Sequence, residues 1–151
     1  MFLRRTSICL AENVLPLTFG IDMALTAAVL GAGFIGQNFI RRALRCGYSL
    51  RVLDHKSCPQ EFENQLTWVR GDFSHEDTVR KTVCGAEVVF HFISSTVPGD
   101  MVDEGGELIQ NVVQTLRLLK LCVNENVRRI VFISSASVYG VQSILPVSED
   151  A

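Results

Sequence analysis

The sequence predicts an α/β fold, a Rossmann-like doubly wound parallel sheet of about five strands. Three observations predict it. Short β-branched runs alternate with longer helical patterns from residue 26 onward. The first run leads directly into Gly31-Ala32-Gly33-Phe34-Ile35-Gly36. The fourth run, residues 87–93, is apolar enough to require cover on both faces, as strands of parallel sheets do. Crossovers between parallel strands are right-handed, which makes a doubly wound sheet the economical topology.

Each element follows from local pattern. Thr26–Leu30 reads as a buried strand. Residues 37–46 place Phe39, Ile40, Ala43 and Leu44 on one helical stripe that Gly47 ends. Residues 49–53 form a second strand closed by Asp54, residues 55–66 a polar loop containing Pro59, and Thr67–Arg70 a short third strand. Ser74-His75-Glu76-Asp77 has the S-x-x-D form of a capping box, which opens a helix running to Cys84 and stopped by Gly85. After the fourth strand, residues 94–106 are a Gly/Pro/Ser/Thr loop. Residues 107–124 show the clearest helix, with Leu108, Val112, Leu116, Leu119 and Val123 at helical spacing. Residues 129–134 are the fifth strand. No internal repeat or second domain boundary interrupts the series.

Composition narrows the function. Of 151 residues, 48% are hydrophobic and 20% charged, a balance that excludes disorder. Fourteen basic against sixteen acidic residues give a net charge of −2 and no basic run, which speaks against nucleic-acid binding. No stretch approaches the ~20 apolar residues of a membrane-spanning helix. The five cysteines are scattered, odd in number and never spaced C-x-x-C, which suits reduced thiols in a cytoplasm better than a disulfide framework or zinc site. With the three histidines equally dispersed, no metal centre is expected. In residues 1–22, Glu12, Asn13 and Pro16 break up any signal-peptide core. This segment is expected to be an extension outside the fold, which residues 23–151 form.

A strand leading into G-x-G-x-x-G and then a helix suits a dinucleotide. Gly31 permits a tight turn, Gly33 lets the backbone approach a diphosphate, and Gly36 lets helix and strand pack closely, while the helix N-terminus offers N–H groups and a positive dipole end. Asp54 lies at the end of the second strand, where a carboxylate can accept the ribose hydroxyls of the adenosine half. A 2′-phosphate there would meet a negative charge, so NAD is favoured over NADP, with Lys56 keeping NADP open.

Several segments together resemble the NAD-dependent epimerase/dehydratase family of extended short-chain dehydrogenases/reductases, UDP-glucose 4-epimerase-like, over its N-terminal half only. They are Gly33-Phe34-Ile35-Gly36; Gly71-Asp72-Phe73 after the third strand; Val88-Val89-Phe90-His91 leading into Phe92-Ile93-Ser94-Ser95; Asn111 to Leu116, similar to N-V-x-G-T-L; and Phe132 to Gly140, similar to F-x-S-S-x-x-V-Y-G. The resemblance implies NAD contacts from Gly31, Gly33, Phe34, Ile35, Gly36, Asp54, Asp72, Phe73 and Ser94, with Asp72 and the following amide at the adenine. It implies a nucleotide-sugar substrate whose reacting hydroxyl is held by Ser135, or by Ser137 if the alignment gap is placed differently. His91 is expected to be a core histidine bonded to backbone, Asn111 to brace the loop of the fifth strand, and Thr96 and Pro98 to line the cofactor loop.

The departures bear on activity. The glycine loop is one residue shorter than the family's G-x-x-G-x-x-G, and Gln114 stands where Gly is usual, with crowding of its helix expected. The family's chemistry requires Tyr-x-x-x-Lys, the Tyr as proton acceptor and the Lys lowering its pKa. That motif does not occur here: Tyr48 and Tyr139 are the two tyrosines, and neither is followed by Lys at that spacing. The resemblance thus implies that residues 23–151 are an incomplete NAD(P)-binding Rossmann domain, its sheet truncated after about five strands and its substrate domain absent, expected alone to bind NAD weakly and to lack turnover. The alternative is a non-catalytic NAD(P)-binding module or a truncated gene product. The fifth strand is expected to be an exposed edge prone to self-association.

Overall fold

Parallel pairing of five strands organises the computed structural model, which describes residues 25–95, 104–140 and 146–148. The expected extension at residues 1–22, and Thr96 and Pro98, lie outside the described residues. The strands are β1 (Thr26–Leu30), β2 (Ser49–Asp54), β3 (Thr67–Arg70), β4 (Val88–His91) and β5 (Arg129–Phe132), in the spatial order β3-β2-β1-β4-β5. Every pair is parallel. The order reverses between β1 and β4, the switch point outside which ligands of open α/β sheets bind.

Helices cover the two faces unequally. On one face α1 (Phe34–Arg45) packs Ile40 and Ala43 against Ala27, Val29, Leu50, Val52, Val88 and Phe90. The stretch read as a polar loop contributes a 3-10 turn, Gln60–Phe62, which buries Phe62 in that core. On the other face α2 (Glu76–Val83) and a long helix, α3, cover Ala28, Leu30, Leu53 and Val89. Helix α3 runs over residues 104–124 as Glu104–Glu107, a π-helical stretch Leu108–Val113, and Gln114–Asn124.

The structure corrects several sequence expectations. Helix α1 begins at Phe34, three residues early, because the last residues of the glycine motif already form its first turn. Ser74 does not cap α2: His75 is the N-cap residue and has no side-chain cap bond. Instead the Ser74 amide donates to Asp72 Oδ1 at 2.7 Å, so the Asp72 side chain closes the turn. Helix α3 starts within the expected loop, at Glu104. Its apolar stripe of Leu108, Val112, Leu116, Leu119 and Val123 points outward, at 40–76% exposure. The buried face is a different one, made of Gln114, Leu118, Leu121 and Cys122. Gln114 is accommodated directly after the π-helical stretch, beside Phe73, Val79 and Leu118.

Candidate nucleotide-binding site

The C-terminal ends of the parallel strands collect nearly every residue singled out in the sequence. The glycine turn follows β1, Asp54 ends β2, Asp72 and Phe73 follow β3, Ser94 follows β4 and Ser135 follows β5. Gly31 has φ of +93°, and a Cβ there would lie 2.9 Å from Ile93 Cγ1. Gly36 faces the Gly31 carbonyl so closely that any side chain would displace the turn. The turn is thus wedged between α1 and the segment leaving β4.

Gly33 is different. A Cβ there would meet nothing within 4 Å among the described residues, which leave the space over the start of α1 open. Gly33 is the N-cap residue without a side-chain cap, its carbonyl accepting the Gln37 N–H at 2.9 Å. Helix geometry leaves the N–H groups of the first turn without intrahelical acceptors, and the first turn carries no acidic residue. Phe34 and Ile35 flank this opening, exposed at 87% and 55%. An open mouth, unused N–H donors and a favourable dipole fit a diphosphate.

Asp54 ties the turn to β2. Its Oδ2 accepts the Ala32 N–H at 2.7 Å and its Oδ1 the Lys56 N–H at 2.8 Å, while His55 Nδ1 lies 3.5 Å from Oδ1. The carboxylate is buried at 8% exposure. A carboxylate has about four acceptor positions, so two bonds leave capacity for ribose hydroxyls. The backbone reinforces the arrangement, with Gly31 N–H on Leu53 O at 2.9 Å and Gly71 N–H on Asp54 O at 3.0 Å.

The neighbouring loops are braced by side chains. The Ser74 hydroxyl and amide hold the exposed Asp72 carboxyl below its ordinary pKa. Phe73 turns its ring inward, 5.1 Å from the His91 ring, leaving its backbone at the loop. His91 is buried but bonds the Thr115 hydroxyl at 3.1 Å, where a backbone partner was expected. The buried Nδ1 has no hydrogen-bond partner among the described residues, and burial pushes its pKa down to about 4. Asn111 Oδ1 accepts the Ser95 N–H at 3.1 Å, bracing the loop after β4. Ser135 is exposed after β5, and its carbonyl accepts the Val138 N–H at 3.2 Å. Ser137 lies in the 3-10 turn Ala136–Tyr139.

Sequence reasoning missed the residues that hold the Asp54 turn from the side. Trp68 Nε1 donates to Lys56 O at 3.0 Å, and Arg70 Nε to His55 O at 3.3 Å. Arg41 of α1 grips Glu61 with two bonds, of 2.8 and 2.6 Å. The lone Trp in a four-residue strand was the one signal available in advance.

Comparison with known proteins places the fold among relatives. Residues 27–151 match the model of the NAD dependent epimerase/dehydratase family. The UDP-glucose 4-epimerase of Haemophilus influenzae is 33% identical over 132 residues, covering 80% of this chain and 39% of that protein. A short-chain dehydrogenase/reductase superfamily protein from Agrobacterium tumefaciens with bound NAD superposes with a TM-score of 0.70 at 27% identity, over 83% of this chain and 38% of that one. MoeE5 in complex with UDP-glucose and NAD gives 0.66 at 30% identity, over 80% and 39%. The chain thus spans about two-fifths of the length of the proteins it matches. Among the described residues, no helix is long and apolar enough to cross a membrane.

Proposed function

The chain belongs to the NAD-dependent epimerase/dehydratase family, and from that premise we propose that it forms the NAD-binding portion of a nucleotide-sugar epimerase or dehydratase. The observation that carries this reading is the Asp54 carboxylate on the Ala32 N–H, beside the open N-terminus of α1. In this reading the N–H groups after Gly33 hold the diphosphate, with Phe34 and Ile35 at its flanks. Asp54 accepts the adenosine ribose hydroxyls and selects NAD over NADP. Asp72 and the Phe73 amide meet the adenine, and Ser94 backs the cofactor from the loop after β4. Ser135, with Ser137 as the alternative, orients the sugar hydroxyl that reacts. Bound NAD supplies hydride acceptance and return.

The 151 residues alone bind NAD weakly and do not turn over UDP-glucose or UDP-galactose, because no Tyr-x-x-x-Lys stands among them to take the hydroxyl proton. The same absence favours, as a second reading, a non-catalytic NAD-binding module. The protein works in the cytoplasm on soluble nucleotide sugars. Copies associate through β5, where Phe132 and Ile133 are exposed at 55% and 42%.

Calorimetry with NAD on the folded chain tests the proposal. Heat of binding, with loss of that heat in Asp54→Ala, is expected; a folded sample with no heat overturns it. Assays with UDP-glucose and UDP-galactose separate the two readings once the chain is supplied with a polypeptide carrying the family's Tyr-x-x-x-Lys segment. Epimerisation appearing on addition supports the first reading, and none supports the module.

A further inference from the structure

We propose that edge strand β3 sets nucleotide affinity through Trp68 and Arg70, positioning residues that hold the Asp54–Lys56 turn in its ribose-accepting form; this rests on the nucleotide-site reading above. The parallel register sets Trp68 beside Val52 and Arg70 beside Asp54. Two residues apart on a strand, both side chains leave the same face of the sheet. That is the α1 face, where Trp68 packs with Val52 and Phe62.

After Asp54 the chain bends back over this face. Its first two carbonyls are both taken by β3 side chains, His55 O by Arg70 Nε and Lys56 O by Trp68 Nε1. With both carbonyls held, the Lys56 peptide is oriented so that its N–H stays on Asp54 Oδ1. That bond and the Ala32 N–H on Oδ2 fix the carboxylate plane. A free carboxylate would rotate and lose the aim needed for two vicinal hydroxyls. Trp68 and Arg70 therefore act on the ribose without touching it, a task no local sequence pattern reveals. The Arg41–Glu61 pair anchors the far end of the same loop to α1.

ADP and 2′,3′-dideoxy-ADP are suitable probes, because they differ in the two hydroxyls assigned to Asp54. The double variant Trp68→Phe/Arg70→Met keeps most of the packing and removes both donors. Two hydrogen bonds of ordinary net worth correspond to about a tenfold loss of ADP affinity, with less than about a twofold change for the dideoxy nucleotide. Trp68→His/Arg70→Lys, which retains N–H donors, is expected to recover part of the loss. Equal weakening of both nucleotides would make the role merely structural and overturn the proposal, as would unchanged ADP binding. Absence of ADP binding by the unmodified chain would instead bring down the nucleotide-site reading itself. Should the double variant not fold, the exposed Arg70→Met alone gives the same comparison, at about threefold.

Discussion

Along β3, the indole of Trp68 and the guanidinium of Arg70 turn back onto the chain and fasten the loop that carries Asp54. Along β5, at the opposite edge, Phe132 and Ile133 are exposed, and the helix before it carries Leu116 and Val123 outward at 54% and 76% exposure. Both are edge strands of four residues in one parallel sheet. The β3 side chains are engaged on the α1 face by hydrogen bonds to the loop after β2 and by packing beside Phe62, whereas apolar surface remains exposed around β5. Exposed apolar side chains at a sheet edge invite other chains. The residues proposed to hold the nucleotide cluster toward the β3 side, where the turn geometry is held by several bonds at once.

Substitutions can break or sharpen this contrast. The largest effect is expected at Gly36, where a Cβ runs into the Gly31 carbonyl. Gly36→Ala should cost more than about 3 kcal/mol, read by urea denaturation, and abolish ADP binding. Retention of both would show that the turn has slack.

Acid comes next, acting on the join between the two sides. His91 touches Phe73 after β3, Phe132 of β5 and Thr115 of α3. Its pKa is near 4 when folded, below the ordinary 6.5, so the unfolded chain takes up this proton first as pH falls. The associated stability is whole above pH 6.5 and is lost progressively toward pH 4, by about 3 kcal/mol. Denaturation between pH 7 and 4 should show that slope, and His91→Leu should flatten it.

A smaller loss is expected for Asp54→Asn, which keeps one acceptor and surrenders a charge-assisted bond. About 2 kcal/mol of stability should go, together with most ADP affinity. If stability falls and ADP binding does not, Asp54 serves the turn alone. The smallest change in stability is expected on the β5 side. Leu116→Glu lies on exposed surface and should shift monomer stability by no more than about 0.5 kcal/mol. Sedimentation should nevertheless show less self-association than in the unmodified chain. A large stability loss there would mean the outward stripe is covered within the monomer.

How far the site was legible in sequence depended on whether a residue acts through backbone or through tertiary reach. The glycine turn could be read, since its spacing reflects local sterics at Gly31 and Gly36. Asp54 could be read from its distance along a βαβ unit. Trp68, Arg70 and the Thr115 partner of His91 could not, because each works across strand or helix neighbours many residues away. Helix α3 shows the same limit: its periodicity located the helix, yet with two apolar faces periodicity could not tell which one the sheet would bury.

The sequence by itself determined the alternation of strands and helices, the parallel sheet and the loop ends that carry the candidate site, because hydrophobic period and glycine sterics are local properties of a chain. Only the tertiary structure decided that Phe62 belongs to the core, that Leu118 and Leu121 pack inward while Leu116 does not, and that β3 side chains hold the Asp54 turn. Those outcomes follow from strand register and helix rotation, which are set by the fit of whole faces against one another.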